Sequence, residues 1–386
     1  MADLEFIRRF NDVGGSIKSP DVMLDEIGSI LFASLARSDQ RHKGMTYLKG
    51  LLGAQGRKSV RNIAAHVGGA TTEQSLHHFI SESTWDWNTI RQALSRHLAR
   101  VAPPRAWVAQ PMVIPKAGEY SVGVDRKFYP KLGQVLNAQQ AVGVWAISEN
   151  FCYPVNWRLH LPAAWLTDRS RRSRAMIPDD RRPESLGECM AHVFGAMQEW
   201  GVPTRPTVLD FSDSDVATVR SAFRDTRAPL LVKVGSTFPL KLTDQASPAG
   251  HRETLPAHHI MRHVKDLRRP VVWRDRPTTA DRAPSAVAVA RVRLPGHLAP
   301  RSQNLLLLST GQRGRPWPGE LWLTNMLHAS PSELVQLTCL RHQVDQALAS
   351  VGDRVGLRDY AGRSYSGWHR HITMASAAHA VAVLSG

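Results

Sequence analysis

Val208-Leu209-Asp210 is a short apolar run that ends on a carboxylate, and its reading decides the fold of this chain. Such a run reads as a buried strand that delivers one acid to the edge of a sheet. Trp107-Val108-Ala109-Gln110-Pro111 has a comparable apolar character and carries no acid. The two stretches therefore promise one half of an acidic site without the other half.

Around them the pattern is that of a mixed sheet. Val122 and Val124 alternate with Ser121, Gly123 and Asp125, which predicts a strand. Val142 to Ile147 is a short apolar run, and Trp157, Leu159 and Leu161 alternate with Arg158 and His160. An Arg-rich segment, including Arg169, Arg171, Arg172, Arg174, Arg181 and Arg182, precedes a predicted helix from Ala191 to Trp200. After Asp210, Ser212-Asp213-Ser214-Asp215 opens another helix as capping residues, and Leu230 to Val234 is a further strand. The β-β-β-α-β-α order predicts an α+β or α/β core, with helices flanking a mixed sheet.

Upstream, the chain reads as helical. Ile90, Ala93, Leu94, Leu98 and Val101 recur at helical spacing until Pro103-Pro104 ends the run. Val60, Ile63, Ala64 and Val67 do the same behind Arg57-Lys58. Arg57, Lys58 and Arg61 are either a solvated helix face or phosphate contacts. Downstream, residues 235–327 are rich in Pro, Arg and short β-like runs such as Val271-Val272-Trp273 and Leu305 to Leu308. We expect a helical unit over 1–103, a core over 104–234, a mostly β insertion over 235–327, and helices over 328–386 that complete the core.

The last of these segments contains the clearest local signal. Ser330-Pro331-Ser332-Glu333 combines a Ser cap, Pro at the first helical position and Glu at the third. Leu334, Leu337, Val344, Leu348 and Val351 then form an apolar stripe. Arg341 falls on that stripe, so it points inward and needs a partner. Asp345, one turn on, is the natural local one, although Arg before acid is the weaker helical order.

Composition narrows the partners. Lys and Arg number 49 against 33 Asp and Glu, a formal net charge of +16, which favours a polyanion and says nothing about fold. Cys152, Cys189 and Cys339 are odd in number and widely spaced, which predicts free thiols in a reducing compartment. Met1-Ala2-Asp3-Leu4-Glu5 does not read as a signal peptide, and nowhere do 18 apolar residues run together. We expect a soluble, cytoplasmic protein with no membrane partner. There is no Gly-rich phosphate loop, nucleophile elbow or zinc spacing, and no cofactor or resident metal is expected.

Four ordered stretches resemble insertion-sequence transposases of the DDE superfamily, whose catalytic domain has a ribonuclease-H-like fold. They are Arg57-Lys58-Ser59-Val60 with Leu76-His77-His78-Phe79-Ile80-Ser81; Pro115-Lys116 through Ser121-Val122-Gly123-Val124; Asn156-Trp157-Arg158-Leu159 through Leu161-Pro162; and Gly362-Arg363-Ser364 through Gly367-Trp368-His369-Arg370-His371. The resemblance implies that Asp210 is the second catalytic acid and that the first belongs at Gln110 or Pro111. It also puts Arg341 and Asp345 at the positions of an Arg and the catalytic Glu on the last helix. Gly352 stands where the family has a Lys. A triad so altered lacks the acid that bridges two divalent cations roughly 3.5–4 Å apart, and Mg²⁺ prefers anionic oxygen.

Two functions follow. One is a transposase-derived pseudoenzyme that no longer transposes and binds DNA or another polyanion. Arg57, Lys58 and Arg61 are its candidate DNA contacts. The other is a repurposed, metal-free enzyme of small-molecule biosynthesis that displaces or eliminates phosphate or sulfate, with or without a partner subunit or self-association. Its candidate catalytic acids are Asp210, Asp345 and Asp125. Arg341, Lys116, Arg126, Arg363, Arg370 and His371 are the candidate anion-binding groups. Asp125 either shares the cleft of Gln110 or faces solvent beside Arg126 and Lys127.

Overall fold

The structure, a computed structural model, describes residues 19–130, 132–225, 228–243, 254–273, 284–296, 304–312 and 314–385. The N-terminal pentapeptide and parts of the Pro- and Arg-rich stretch lie outside them.

Five helices come first: α1 (Pro20–Phe32), α2 (Ser38–Gly53), α3 (Val60–Val67), α4 (Ala70–Ser81) and α5 (Trp87–Val101). Local chemistry sets their ends. Ser59 caps α3 through Asn62 N–H, and the Asp86 carboxylate takes the N–H groups of Asn88 and Thr89 at the start of α5. Ile90, Leu94 and Leu98 are buried, as their spacing predicts, whereas Val101 in the last turn is exposed.

The core follows as β1 (Ala106–Pro115), β2 (Asp125–Tyr129), β3 (Gln134–Ile147), β4 (Cys152–Leu159), α6 (Ala163–Thr167), α7 (Arg169–Arg174), α8 (Leu186–Gln198), β5 (Thr207–Asp210), α9 (Val216–Asp225) and β6 (Leu230–Val234). Residues 121–124 are a turn, not the strand that their alternation predicts. Gly123 sits at φ +77°, which an extended strand cannot accommodate, so Val122 and Val124 reach the core from a bend and pairing starts at Asp125.

Then come β7 (Pro239–Leu242), β8 (Thr254–Pro256), α10 (Ala257–His263), β9 (Arg269–Pro270), β10 (Ala286–Arg293), β11 (Leu305–Gly311), β12 (Leu321–Thr324), α11 (Pro331–Ala347) and α12 (Tyr365–Leu384). Residues 271–273 carry no strand, although the Val271-Val272-Trp273 run suggests one. The capping box of α11 is formed: the Glu333 side chain accepts from Ser330 N–H while Ser330 Oγ accepts from Glu333 N–H.

All twelve strands join one sheet in the order β2-β3-β1-β5-β6-β12-β11-β10-β7-β8, with β4 beside β3 and β9 beside β10. On one side of β1, β3 runs antiparallel to it and β4 antiparallel to β3; on the other, β5 and β6 run parallel to β1. This is a ribonuclease-H-like core. Residues after β6 do not build a separate body. β12 pairs antiparallel with β6 and carries the sheet onward through β11 and β10. The last two helices then return to the core. α11 packs on β1, β5 and β6, and α12 packs on β4 and on the N-terminal helices α1, α2, α4 and α5.

α12 is buried along nearly its whole length, so its polar residues must be satisfied inside the protein. Arg91 of α5 ties α12 to β4: Nε donates to Thr373 Oγ1 (2.7 Å) and Nη2 to His369 O (3.0 Å) on α12, and Nη1 donates to Trp157 O (2.7 Å) on β4. The clue to Arg91 in the sequence is its position three residues before Leu94 and seven before Leu98, on the apolar face of α5. Among the described residues no helix is long and apolar enough to cross a membrane.

Candidate functional site

The pairing of β1 with β5 is what assembles the candidate site. Ala109 lies opposite Leu209 on the parallel neighbour, which sets Gln110 beside Asp210. Successive side chains of a strand point to opposite faces, so Pro111 turns away. Of Gln110 and Pro111, the register therefore turns Gln110 to the Asp210 side. Gln110 is itself buried.

α11 crosses this point and contributes two residues one turn apart. Gln110 Nε2 donates to Asp345 Oδ1 at 2.8 Å. An ionised carboxylate can only accept, so the amide must present its nitrogen. Arg341 Nη2 donates to both oxygens of Glu320, at 2.7 and 2.9 Å, and Arg341 Nη1 reaches Asp210 Oδ2 at 3.5 Å. Asp210 Oδ1 also accepts from Ser212 Oγ at 2.6 Å, and Lys233 Nζ donates to Glu320 Oε1 at 2.9 Å. The Trp322 ring lies 5.1 Å from the Arg341 guanidinium carbon. Burial alone would raise the Glu320 carboxyl, but Arg341 and Lys233 outweigh it and hold the group below its ordinary value.

The local Arg341 to Asp345 ion pair does not form. Arg341 spends itself on Glu320 and Asp210, and Asp345 takes the Gln110 amide instead. Glu320 was not picked out by sequence reading. It stands just before β12, and only the long-range pairing of β12 with β6 brings it to Lys233 and Arg341.

Two carboxylates, one neutral amide and one guanidinium thus share the position at which the resemblance implies a pair of divalent cations. The Gln110 amide hydrogen-bonds Asp345, while the Arg341 guanidinium faces Asp210. These residues do not fit a two-cation centre. Among the described residues, no group of three or more His, Cys, Asp or Glu side chains is placed to hold a metal ion.

The other predicted residues are scattered. Asp125 pairs with Ala138, which in turn lies opposite Pro115, so Asp125 is two strands and five residues removed from Gln110. It sits 3.8 Å from Lys127, and Arg126 beside it is exposed. Arg370 and His371 are not on an anion-binding surface. Arg370 donates to the carbonyls of Trp85 and Ile80, and His371 bridges the Tyr47 hydroxyl and Gly356 O. Burial pushes the His371 imidazole down to about 4 and that of His369 well below its ordinary value. Lys58 is likewise internal, with its ammonium on Ala54 O and its N–H on Asp359 Oδ2. Arg61 is exposed on α3, and exposed Arg363 lies 5.3 Å over the Tyr120 ring.

Lys116 and Arg57 come together elsewhere. At the end of β1 they line a cleft of about 570 Å³ with Ser121, Asp353, Arg358 and Asp359. Lys116 Nζ donates to Tyr360 O at 2.6 Å. Burial and the nearby Arg57 charge lower Lys116 to about 8, against the opposing pull of Asp359.

A ribonuclease-H-like sheet with an acid at the end of β5 and an amide beside it on β1 defines the class, a nuclease-type scaffold. The family model described as DDE superfamily endonuclease matches residues 30–293, and the chain belongs to that family. The match ends at the last residue of β10, so Arg341 and Asp345 are placed at the site by geometry alone. No curated protein is similar enough to match the chain.

Proposed function

We propose that this protein is a transposase-derived member of the DDE superfamily that does not cut or join DNA and acts by binding DNA or another polyanion. One observation carries the first half: beside Asp210, where the resemblance implies a bridging acid, lies the Gln110 amide, hydrogen-bonded to Asp345 at 2.8 Å, while Arg341 faces Asp210. Family membership and the net charge of +16 support the second half.

The test combines binding and cleavage in the same tubes. The full chain is titrated with duplex DNA over a salt series, with Mg²⁺ or Mn²⁺ present, and nicking is followed. Salt-dependent binding without nicking is the expected result, and metal-dependent nicking overturns the reading.

A second reading, a metal-free enzyme acting on a small phosphorylated or sulfated substrate, has one observation in its favour. The cleft of about 570 Å³ beside Lys116 falls in the size range of small-ligand sites. None of Asp210, Asp345 or Asp125 lines it, so its chemistry would have to start from the groups that do, Lys116, Asp353 and Asp359 among them. Turnover of a phosphorylated metabolite without added metal would establish it.

A further inference from the structure

The charges lining the cleft at the end of β1 are unequally used. Arg358 is held by Asp353 in a two-pronged ion pair, and Asp359 accepts the Lys58 N–H at 2.8 Å. Among the described residues, Arg57 and Lys116 form no ion pair. Two cations from different elements, one from the segment before α3 and one from the end of β1, thus face the same opening without a carboxylate of their own. Lys116 is also half-buried and held in place by Tyr360 O, so little of its freedom remains to be lost when it meets an anion.

The loop that leaves the cleft adds what a solvated basic face lacks. Gly118 lines the opening, with open space where a Cβ would stand. Two residues further, Tyr120 is 66% exposed, a large aromatic ring with no core role, and Arg363 lies over it at 5.3 Å. Beyond Tyr120 a second, smaller groove adds cations to the same track, with Arg171 5.7 Å over the buried Trp165 ring and Arg174 at its rim. Cations flanking an accessible aromatic ring along one track are the pattern of surfaces that follow a nucleic-acid strand, with cations on the backbone and the ring under a base.

We propose that this track is the nucleic-acid path of the protein: Arg57 and Lys116 hold one backbone phosphate in the cleft, and Tyr120 with Arg363 takes the adjoining base. The inference rests on the reading of the chain as a DNA-binding protein and specifies where on the surface binding occurs, about 20 Å along β1 from Gln110 at some 3.3 Å per residue. It separates contact with nucleic acid from the altered acidic site.

A pH dependence follows from Lys116. The groups that face it are Arg57 from the segment before α3, Asp353, Arg358 and Asp359 from the segment after α11, and buried His371 of α12. Lys116 carries its charge below about 8 and loses it above. Affinity for a phosphate therefore falls as pH rises through that value, and replacing Lys116 by a neutral side chain removes this part of the pH profile.

The experiment is fluorescence anisotropy of the full chain with a labelled single-stranded oligonucleotide and the matching duplex, over salt and over pH 7 to 9. Arg57→Ala, Lys116→Met and Tyr120→Ala are compared with the parent, and denaturation midpoints check each fold. Arg57 and Tyr120 are exposed, so their variants keep the test valid even where Lys116→Met is destabilised. Arg57→Ala and Lys116→Met each lower the slope of log affinity against log salt by about 0.9 on duplex or about 0.7 on single strands. Tyr120→Ala weakens single-strand binding by roughly tenfold and leaves the salt slope unchanged. Parent-like binding by all three variants overturns the path and leaves the DNA-binding reading standing. No oligonucleotide binding by the parent protein at physiological salt overturns both. A rise in the parent's denaturation midpoint with inorganic phosphate or a nucleoside monophosphate, lost in Lys116→Met and without any oligonucleotide binding, overturns the path and assigns the cleft to a small ligand instead.

Discussion

Two regions on the same strand treat their charges in opposite ways. In the middle of β1, Gln110 sits in a paired network: it donates to exposed Asp345, while Arg341 is shared by Asp210 and Glu320 and Lys233 also holds Glu320. At the end of β1, Lys116 and Arg57 face an open cleft with no ion pair. The first region looks like a site by its residue types, but its charges are largely paired within the protein. The second draws on two of the stretches that carry the family resemblance and keeps charge available to a ligand. What matters for function is which charges the fold leaves uncompensated, since an ion pair already made inside the protein has little left for a partner.

The largest test of the closed side concerns acid. His369, His371 and His379 are buried on α12 with their imidazoles lowered, His371 to about 4 and His379 to about 3. Their folded values lie below the unfolded value of about 6.5, so below that pH the unfolded chain takes up protons that the folded one refuses. Stability is full above about pH 6.5 and is lost as pH falls, by roughly 2 kcal/mol per histidine at pH 5. Urea midpoints measured from pH 7.5 to 5 should drop steeply; a flat profile would mean that these imidazoles are not held neutral.

Next in size, Arg341→Ala removes the shared partner of Glu320 and Asp210 and should cost about 3 kcal/mol in chemical denaturation. Adding Glu320→Gln to that variant should recover part of the loss, because it removes the acid left behind. A loss below about 1 kcal/mol would show that the network is solvated and not closed.

Gln110→Asp is a smaller and more pointed perturbation. It replaces an amide donor by a carboxylate facing Asp345, and should destabilise the protein by about 2 kcal/mol at pH 7. The loss should shrink at high salt, which screens repulsion between the facing carboxylates; an equal loss at low and high salt would remove charge repulsion as its cause. The smallest effect belongs to the open side. Arg57→Ala should change stability by less than about 0.5 kcal/mol, and a larger loss would place Arg57 in the fold and not on a ligand.

Much of the architecture is legible in the sequence because its signals are local. The capping box at Ser330 to Glu333, the spacing of Ile90, Leu94 and Leu98, and the runs ending at Asp210 and Val234 each fix an element within a few residues. The inward direction of Arg341 follows in the same way from its place on the α11 stripe. Its partner does not. Glu320 is 21 residues away in the chain and reaches Arg341 only through the pairing of β12 with β6. Residues 121–124 misled for the converse reason, since alternation suggests a strand while the backbone at Gly123 bends. Arg370 and His371 read as a basic cluster from their composition, but α12 is surrounded on nearly all sides.

The sequence by itself determined the family resemblance, the element types, the excess of positive charge and the absence of an acid at residues 107–111. Tertiary structure alone decided that Gln110 is the residue beside Asp210, that Asp345 accepts its amide, and that Arg341 belongs to Glu320. It also decided that Arg57 and Lys116, 59 positions apart in the chain, share one cleft. The physical reason is range. Helix caps and hydrophobic periodicity act within one or two turns, whereas the compensation of a buried charge depends on whichever strand or helix the sheet brings alongside it.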